Sequence, residues 1–204
     1  MSLQQYAVVV PVKPPAVGKS RLVRATDDDR RALAAAFALD TVSACLAASR
    51  VAQVLVVTDD VPFAAQLGRL GCAAIPDGVS GDLNGSLREA AAEARRRWPD
   101  LVGVALCADL PALRPEDLDA ALAAALPGRA AFVADAERVG TTLYTAPYDE
   151  FDPRFGVESR EAHLDAGALE IAGDLVTLRR DVDDTEDLRA AAALGLGPHT
   201  RALV

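Results

Sequence analysis

Short apolar, β-branched runs alternate with stretches of helical periodicity from Tyr6 to Leu194, and that alternation restricts the chain to layered α/β folds. Tyr6–Val12 is a β-branched run closed by Pro14-Pro15. Thr26 predicts a helix N-cap, with Asp27-Asp28-Asp29 in the first turn and Leu33, Phe37 and Val42 carrying an apolar face to about Ser49. Val54–Thr58, Ala73–Pro76 and Leu101–Cys107 read as strands, separated by helices over Val61–Leu70 and Asn84–Trp98. Pro115 starts another helix at a first-turn position. Ala130–Ala134 and Thr141–Thr145 are two more strands, Ser159 opens a short helix, Leu175–Leu178 reads as a final strand and Asp184–Leu194 as a final helix. Strands spaced in this way predict a three-layer α/β/α architecture around a mostly parallel, mixed sheet, in one domain over residues 1–204.

Composition narrows the function classes. The net charge of −9 and the absence of a basic stripe exclude a nucleic-acid platform. No run reaches the ~18 consecutive apolar residues of a membrane span, and Met1-Ser-Leu-Gln-Gln lacks the charged start of a signal peptide. Cys45, Cys72 and Cys107 are odd in number, share no metal-ligand spacing and sit in apolar runs. The expectation is a cytoplasmic protein with reduced core cysteines and neither a membrane nor a nucleic-acid partner.

Against this acidic background the only two lysines, Lys13 and Lys19, stand together with Arg21 where the first strand ends. Ligands of α/β proteins sit at such junctions, and ammonium groups there act as point charges on phosphate. The alternative is an ordinary solvated loop. Gly18-Lys19-Ser20 ends like a P-loop, but the first glycine of that pattern would fall on Lys13. Pro14 and Pro15 also remove amide donors that a phosphate cradle needs. Lys13, Lys19 and Arg21 are therefore expected to meet a nucleotide's phosphates through their side chains.

Carboxylates supply the complementary half. Leu101–Cys107 delivers Asp109 to the carboxyl end of a strand, and Asp181 and Asp183 share a face by alternation before the last helix, whose N-cap is Asp184 or Thr185. Mg²⁺ binds through one or two carboxylates plus phosphate oxygens, so Asp109, Asp181 and Asp183 are the candidate ligands. The competing reading of the later cluster is complementarity to a helix dipole. Gly140-Thr141-Thr142 and Gly156-Val157-Glu158-Ser159 combine glycine with hydroxyls, and a helix N-terminus at Ser159 offers amides and a positive dipole end to an anion. Asn84, in the polar stretch Gly81–Ser86, is a candidate contact to a base or ribose. His163 and His199 have no partner recognisable from sequence and receive no catalytic role.

Taken in order, Pro11-Val-Lys13…Gly18-Lys19-Ser20-Arg21-Leu22, Ala108-Asp109-Leu110-Pro111, Gly140-Thr141-Thr142, Phe155-Gly156-x-x-Ser159 with His163, and Asp181-Val-Asp183-x-Thr185-x-x-Asp187-Leu188 resemble the CofC/FbiD guanylyltransferases of coenzyme F-420 biosynthesis. The resemblance spans nearly the whole chain. It implies a nucleotide-diphospho-sugar transferase-like, Rossmann-like fold, GTP as substrate, Mg²⁺ as cofactor and a small phosphorylated carboxylic acid as acceptor. Phosphoenolpyruvate is favoured, by analogy with members from high-GC bacteria, over 2-phospho-L-lactate. By motif, Thr141, Gly156 and Ser159 would bind the acceptor, with Thr142 beside them, and Asp109, Asp181 and Asp183 would hold metal. Hand-over of product to the next biosynthetic enzyme and a homo-oligomer are compatible with this reading. Two departures stand out: Asp135-Ala-Glu137-Arg138-Val139 replaces a glycine-richer approach to Gly140, and Gly81-Asp82-Leu83-Asn84 fits the family's Gly-Leu-Asn pattern loosely. Two alternatives remain: a cytidylyl- or molybdopterin-type transferase on the same scaffold, and a nucleotide-sensing module without turnover.

Overall fold

In the computed structural model, residues 3–12, 26–79 and 81–204 are described. Seven strands form one sheet: β1 (Tyr6–Pro11), β2 (Val51–Val57), β3 (Ala73–Ile75), β4 (Val102–Leu106), β5 (Ala131–Ala134), β6 (Thr141–Ala146) and β7 (Leu169–Glu170). Their spatial order is β3-β2-β1-β4-β6-β5-β7. Every pairing is parallel except those of β6, which runs antiparallel to β4 and β5. The chain winds outward from β1 through β2 to β3, then returns to the other side of β1 at β4. The carboxyl ends of β1 and β4 thus flank a topological switch point, the position at which open α/β sheets bind ligands.

Helices cover both faces. On one side lie α1 (Asp27–Ala47), α2 (Val61–Leu70), α4 (Pro115–Ala124) and α6 (Val176–Arg179), in one core with Tyr6, Val8 and Val10 of β1. On the other, α3 (Leu83–Arg97) packs on Ala7 and Val9. β1 is buried on both faces because its alternate side chains belong to different cores. Each fully buried valine there contributes roughly 1.5–3 kcal/mol. Beyond them come α5 (Ser159–Asp165), α7 (Thr185–Leu194) and the C-terminal α8 (Pro198–Arg201). Among the described residues no helix is long and apolar enough to cross a membrane. Cys45 and Cys72 lie in the core and all three cysteines are free thiols.

The start of α1 is as its sequence dictates: Thr26 accepts from the Asp29 amide while Asp29 accepts from the Thr26 amide, a reciprocal cap. One expected strand is absent. Leu175–Leu178 does not extend; α6 occupies Val176–Arg179, and the seventh strand is the two-residue β7. A four-residue apolar run fits a buried turn of helix as well as a strand. What decides it is remote in sequence: Asp117 of α4 accepts from the Thr177 amide at 2.8 Å and its hydroxyl at 2.6 Å, capping α6 from outside.

The turn that follows β4 is clamped from three sides. Thr41 of α1 is fully buried; its hydroxyl lies 2.8 Å from the Phe37 carbonyl and 3.2 Å from the Ala108 carbonyl, and accepts from the Leu110 amide at 3.1 Å. The Val182 amide donates to the Asp109 carbonyl at 3.0 Å, and the Gly197 amide to Pro111 at 2.8 Å. A side chain at Gly197 would collide with Asp40, whose carboxylate caps α8 through the His199 and Thr200 amides. Thr41→Val keeps the shape but strands the Leu110 amide, so chemical denaturation should show a loss of about 1–3 kcal/mol. An unchanged midpoint would show that the turn does not depend on this clamp.

Candidate active site

The carboxyl rim gathers acidic side chains from three places. Asp109 follows β4 and Asp135 follows β5; the two strands run in the same direction through β6, so both residues emerge at the same edge. Asp181 and Asp183 come from the segment joining α6 to α7. That segment is irregular rather than extended, so the strand alternation expected for the pair does not occur. Instead it is held by the α7 cap, in which Asp184 accepts from the Glu186 and Asp187 amides and Asp187 accepts from the Asp183 and Asp184 amides. Burial, followed by the charges of Asp109, Asp183 and Asp135, pushes the Asp181 carboxyl up to about 8. Asp109 and Asp183 therefore share the electrostatic neighbourhood of Asp181.

Two members were not anticipated. Asp135, Glu137 and Asp181 each place an oxygen within 4.8 Å of the others. Asp135 accepts from the Val139 and Gly140 amides at 2.9 and 2.7 Å, and a side chain at Gly140 would strike its carboxylate. The signal was present: Asp135 ends an apolar strand just as Asp109 does. It was masked by the apparent departure from a glycine-rich loop. Beneath the rim Arg179 is buried and donates to the carbonyls of Ala134, Ile171 and Gly173. It thus fixes the end of β5 one residue before Asp135. Arg180 bridges Glu137 and Asp187 at 2.9 and 3.3 Å.

Beside the rim, the two glycine–hydroxyl segments meet. The pairing of β5 with β6 steps from Val133↔Leu143 to Ala134↔Thr141, leaving Thr142 as the extra residue of a bulge. Bulges re-aim side chains next to active sites, and here Thr141 reaches α5. The Arg160 amide, in the first turn of α5, donates to the Val139 carbonyl at 3.1 Å, so one amide expected to face a ligand instead stitches the two segments together. Ser159 is buried, and Gly156 adopts φ +143°, a conformation that side chains rarely adopt. Thr142 is fully buried, and its hydroxyl has no hydrogen-bond partner among the described residues.

Asn84 has a different task from the predicted base contact. Its amide nitrogen donates to the Phe155 carbonyl at 2.9 Å and its oxygen accepts from the Phe155 amide at 2.8 Å. It joins the first turn of α3 to the residue before Gly156. Lys13, Lys19 and Arg21, the expected phosphate-binding set, lie outside the described residues.

His163, to which the sequence assigned no role, is fully buried over the cross-strand pair Phe132 and Tyr144, with ring centroids at 5.3 and 4.9 Å. Burial pushes its pKa from 6.5 down to about 4; Arg154 acts in the same direction, while the Ser159 carbonyl and Asp152 oppose it. Between those two values the unfolded chain binds a proton that the folded chain refuses, so stability falls as pH drops from 6.5 to about 4. Replacing His163 by Phe removes this contribution. The melting temperature of the variant relative to wild type should therefore rise as pH is lowered through that window; parallel profiles would show that His163 is protonated in the native state.

Fold and rim together define an α/β nucleotidyltransferase-like protein, with a carboxylate cluster at a switch point. Solved structures agree on the fold. A nucleotidyl transferase from Methanothermobacter superposes with a TM-score of 0.64 at 20% identity, covering 93% of this chain and 97% of that one. A candidate nucleotide-diphospho-sugar transferase from Desulfovibrio desulfuricans G20 gives 0.68 at 21% identity, covering 92% and 86%. Residues 6–203 match the family described as "Guanylyl transferase CofC like", and the chain belongs to that family. Among its relatives, a phosphoenolpyruvate guanylyltransferase from Thermomonospora curvata is 50% identical over 97% of this chain and 88% of its own length. One from Streptomyces coelicolor is 48% identical over 98% and 95%.

Proposed function

We propose that this chain transfers GMP from GTP to phosphoenolpyruvate, releasing pyrophosphate and forming enolpyruvyl-diphospho-guanosine, as a cytoplasmic step of coenzyme F-420 biosynthesis. The reading rests on the family and on the names of relatives that align with nearly the whole chain. The structural observation that carries it is the acidic cluster at the carboxyl rim, beside the segments that bring Thr141 and Ser159 together.

The acceptor needs little activation. A phosphomonoester is largely dianionic at pH 7, with its second pKa at about 6, so its oxygen is already a nucleophile. That oxygen attacks the α-phosphorus of GTP; a new P–O bond forms, the bond from the α-phosphorus to the bridging oxygen breaks, and pyrophosphate leaves with the electron pair. No general base is required, in keeping with a buried histidine that resists protonation. The protein's task is alignment and charge neutralisation. Lys13, Lys19 and Arg21 are assigned to the triphosphate, and Thr141, Gly156 and Ser159 to the acceptor.

The donor set fits a hard divalent cation, being all oxygen. Burial and the acidic neighbours push the Asp181 carboxyl up to about 8, a shift that a bound cation would oppose. Asp109, Asp181 and Asp183 would hold Mg²⁺, with Asp135 and Glu137 adjacent. When bound, Mg²⁺ supplies neutralisation of charge on the phosphate oxygens and on departing pyrophosphate.

Mass spectrometry of products from GTP, Mg²⁺ and either phosphoenolpyruvate or 2-phospho-L-lactate tests the reading. A guanylylated enolpyruvyl product is expected with the first acid, and its formation should fall by about 100-fold or more in Asp109→Asn, which removes a charge from the rim. Turnover with CTP in place of GTP, or no turnover with any nucleotide, would favour another transferase or a sensing module.

A further inference from the structure

Nδ1 of His163 lies 2.7 Å from the Ser159 carbonyl and 3.1 Å from the Thr141 hydroxyl oxygen, while Nε2 accepts from the Arg154 amide at 2.9 Å. One ring therefore touches all three segments assigned above to the acceptor: the start of β6, the first turn of α5 and the loop leading to Gly156.

The network assigns the tautomer. An amide N–H pointing at Nε2 requires a lone pair there, so the ring proton sits on Nδ1. A carbonyl oxygen 2.7 Å from Nδ1 requires the same thing from the other end. With Nδ1 as donor, the Thr141 oxygen next to it can only accept, and its own hydroxyl proton is directed elsewhere. The opposite tautomer would set two donors face to face at Arg154 and two acceptors at Ser159. It would also use up the Thr141 proton on the ring.

We propose that His163 is a positioning residue of the acceptor site: as the neutral Nδ1–H tautomer it turns the Thr141 hydroxyl into a donor for the substrate anion. It also sets the spacing of Thr141, Ser159 and the Arg154–Gly156 loop. Its burial against Phe132, Tyr144 and, edge-on at 5.7 Å, Phe155 keeps water from competing for either nitrogen. The acid is then met by short neutral donors rather than by an imidazolium, which makes the pocket selective for shape and hydrogen bonding as well as charge. The inference rests on the acceptor assignment proposed above.

Three substitutions separate the contacts. His163→Asn keeps a donor near Nδ1 and loses the Nε2 acceptor; His163→Gln does the reverse; His163→Phe keeps the stacked ring and loses both. The Michaelis constant for phosphoenolpyruvate is expected to rise about tenfold or more in each variant and most in His163→Phe, with that for GTP changed less than about twofold. Nitrogen-15 spectra of histidine-labelled wild-type protein should show protonated Nδ1 and bare Nε2 at neutral pH. The proposal is overturned if both Michaelis constants rise together, if neither moves while the melting temperature falls, or if the spectra show Nε2 protonated. Absence of turnover in the wild type would instead remove the proposed function, and the spectra would still decide the tautomer.

Discussion

Like charges crowded at the carboxyl edge of the sheet set the terms for everything around them. Burial, together with the neighbouring charges of Asp109, Asp183 and Asp135, holds the Asp181 carboxyl well above the ordinary carboxylate range. Such a cluster persists only if the backbone beneath it cannot relax. Thr41 and the Val182 and Gly197 amides fix the Asp109 turn, Arg179 fixes the end of β5, and the α7 cap fixes the segment carrying Asp181 and Asp183. The rim is thus strained electrostatically and held rigid by hydrogen bonds, the condition under which a cation is bound strongly and charge on a phosphate is met without reorganisation.

The neighbouring pocket is built on the opposite plan, from neutral groups. Its three segments are tied by main-chain and side-chain bonds: Arg160 to Val139, Asn84 to Phe155, His163 to Arg154, Ser159 and Thr141. Asn84 has a further consequence, because it roots the Phe155–Gly156 loop in the first turn of α3, a helix that packs on β1. The loop assigned to the acceptor and the strand that leads toward the lysines therefore rest on one rigid element.

Much of the architecture was legible because it follows from local rules. Apolar runs of four to seven residues between helices marked six of the seven strands, Thr26 and Asp184 announced their helices, and Asp109 stood out after a strand end. The failures share a cause. Helix α6 depends on Asp117, sixty residues away, and the re-aiming of Thr141 depends on a bulge against β5. The task of Asn84 depends on Phe155, and that of His163 on Thr141, Arg154, Phe132 and Tyr144 as well as on its near neighbour Ser159. Chemistry carried by a residue's own type and position could be read from the chain. Chemistry carried by partners distant in sequence could not, since neither periodicity nor spacing encodes it.

The central claim is that Asp109 and the Asp181–Asp183 segment form one cation site serving a nucleotide's phosphates. Anomalous scattering from Mn²⁺ in crystals grown with GTP tests it most directly. The account predicts a peak bonded to Asp109 and to Asp181 or Asp183, with phosphate oxygens completing the shell. A peak that engages Asp135 and Glu137 without Asp109, or a nucleotide bound away from the β1–β4 switch point, would contradict it.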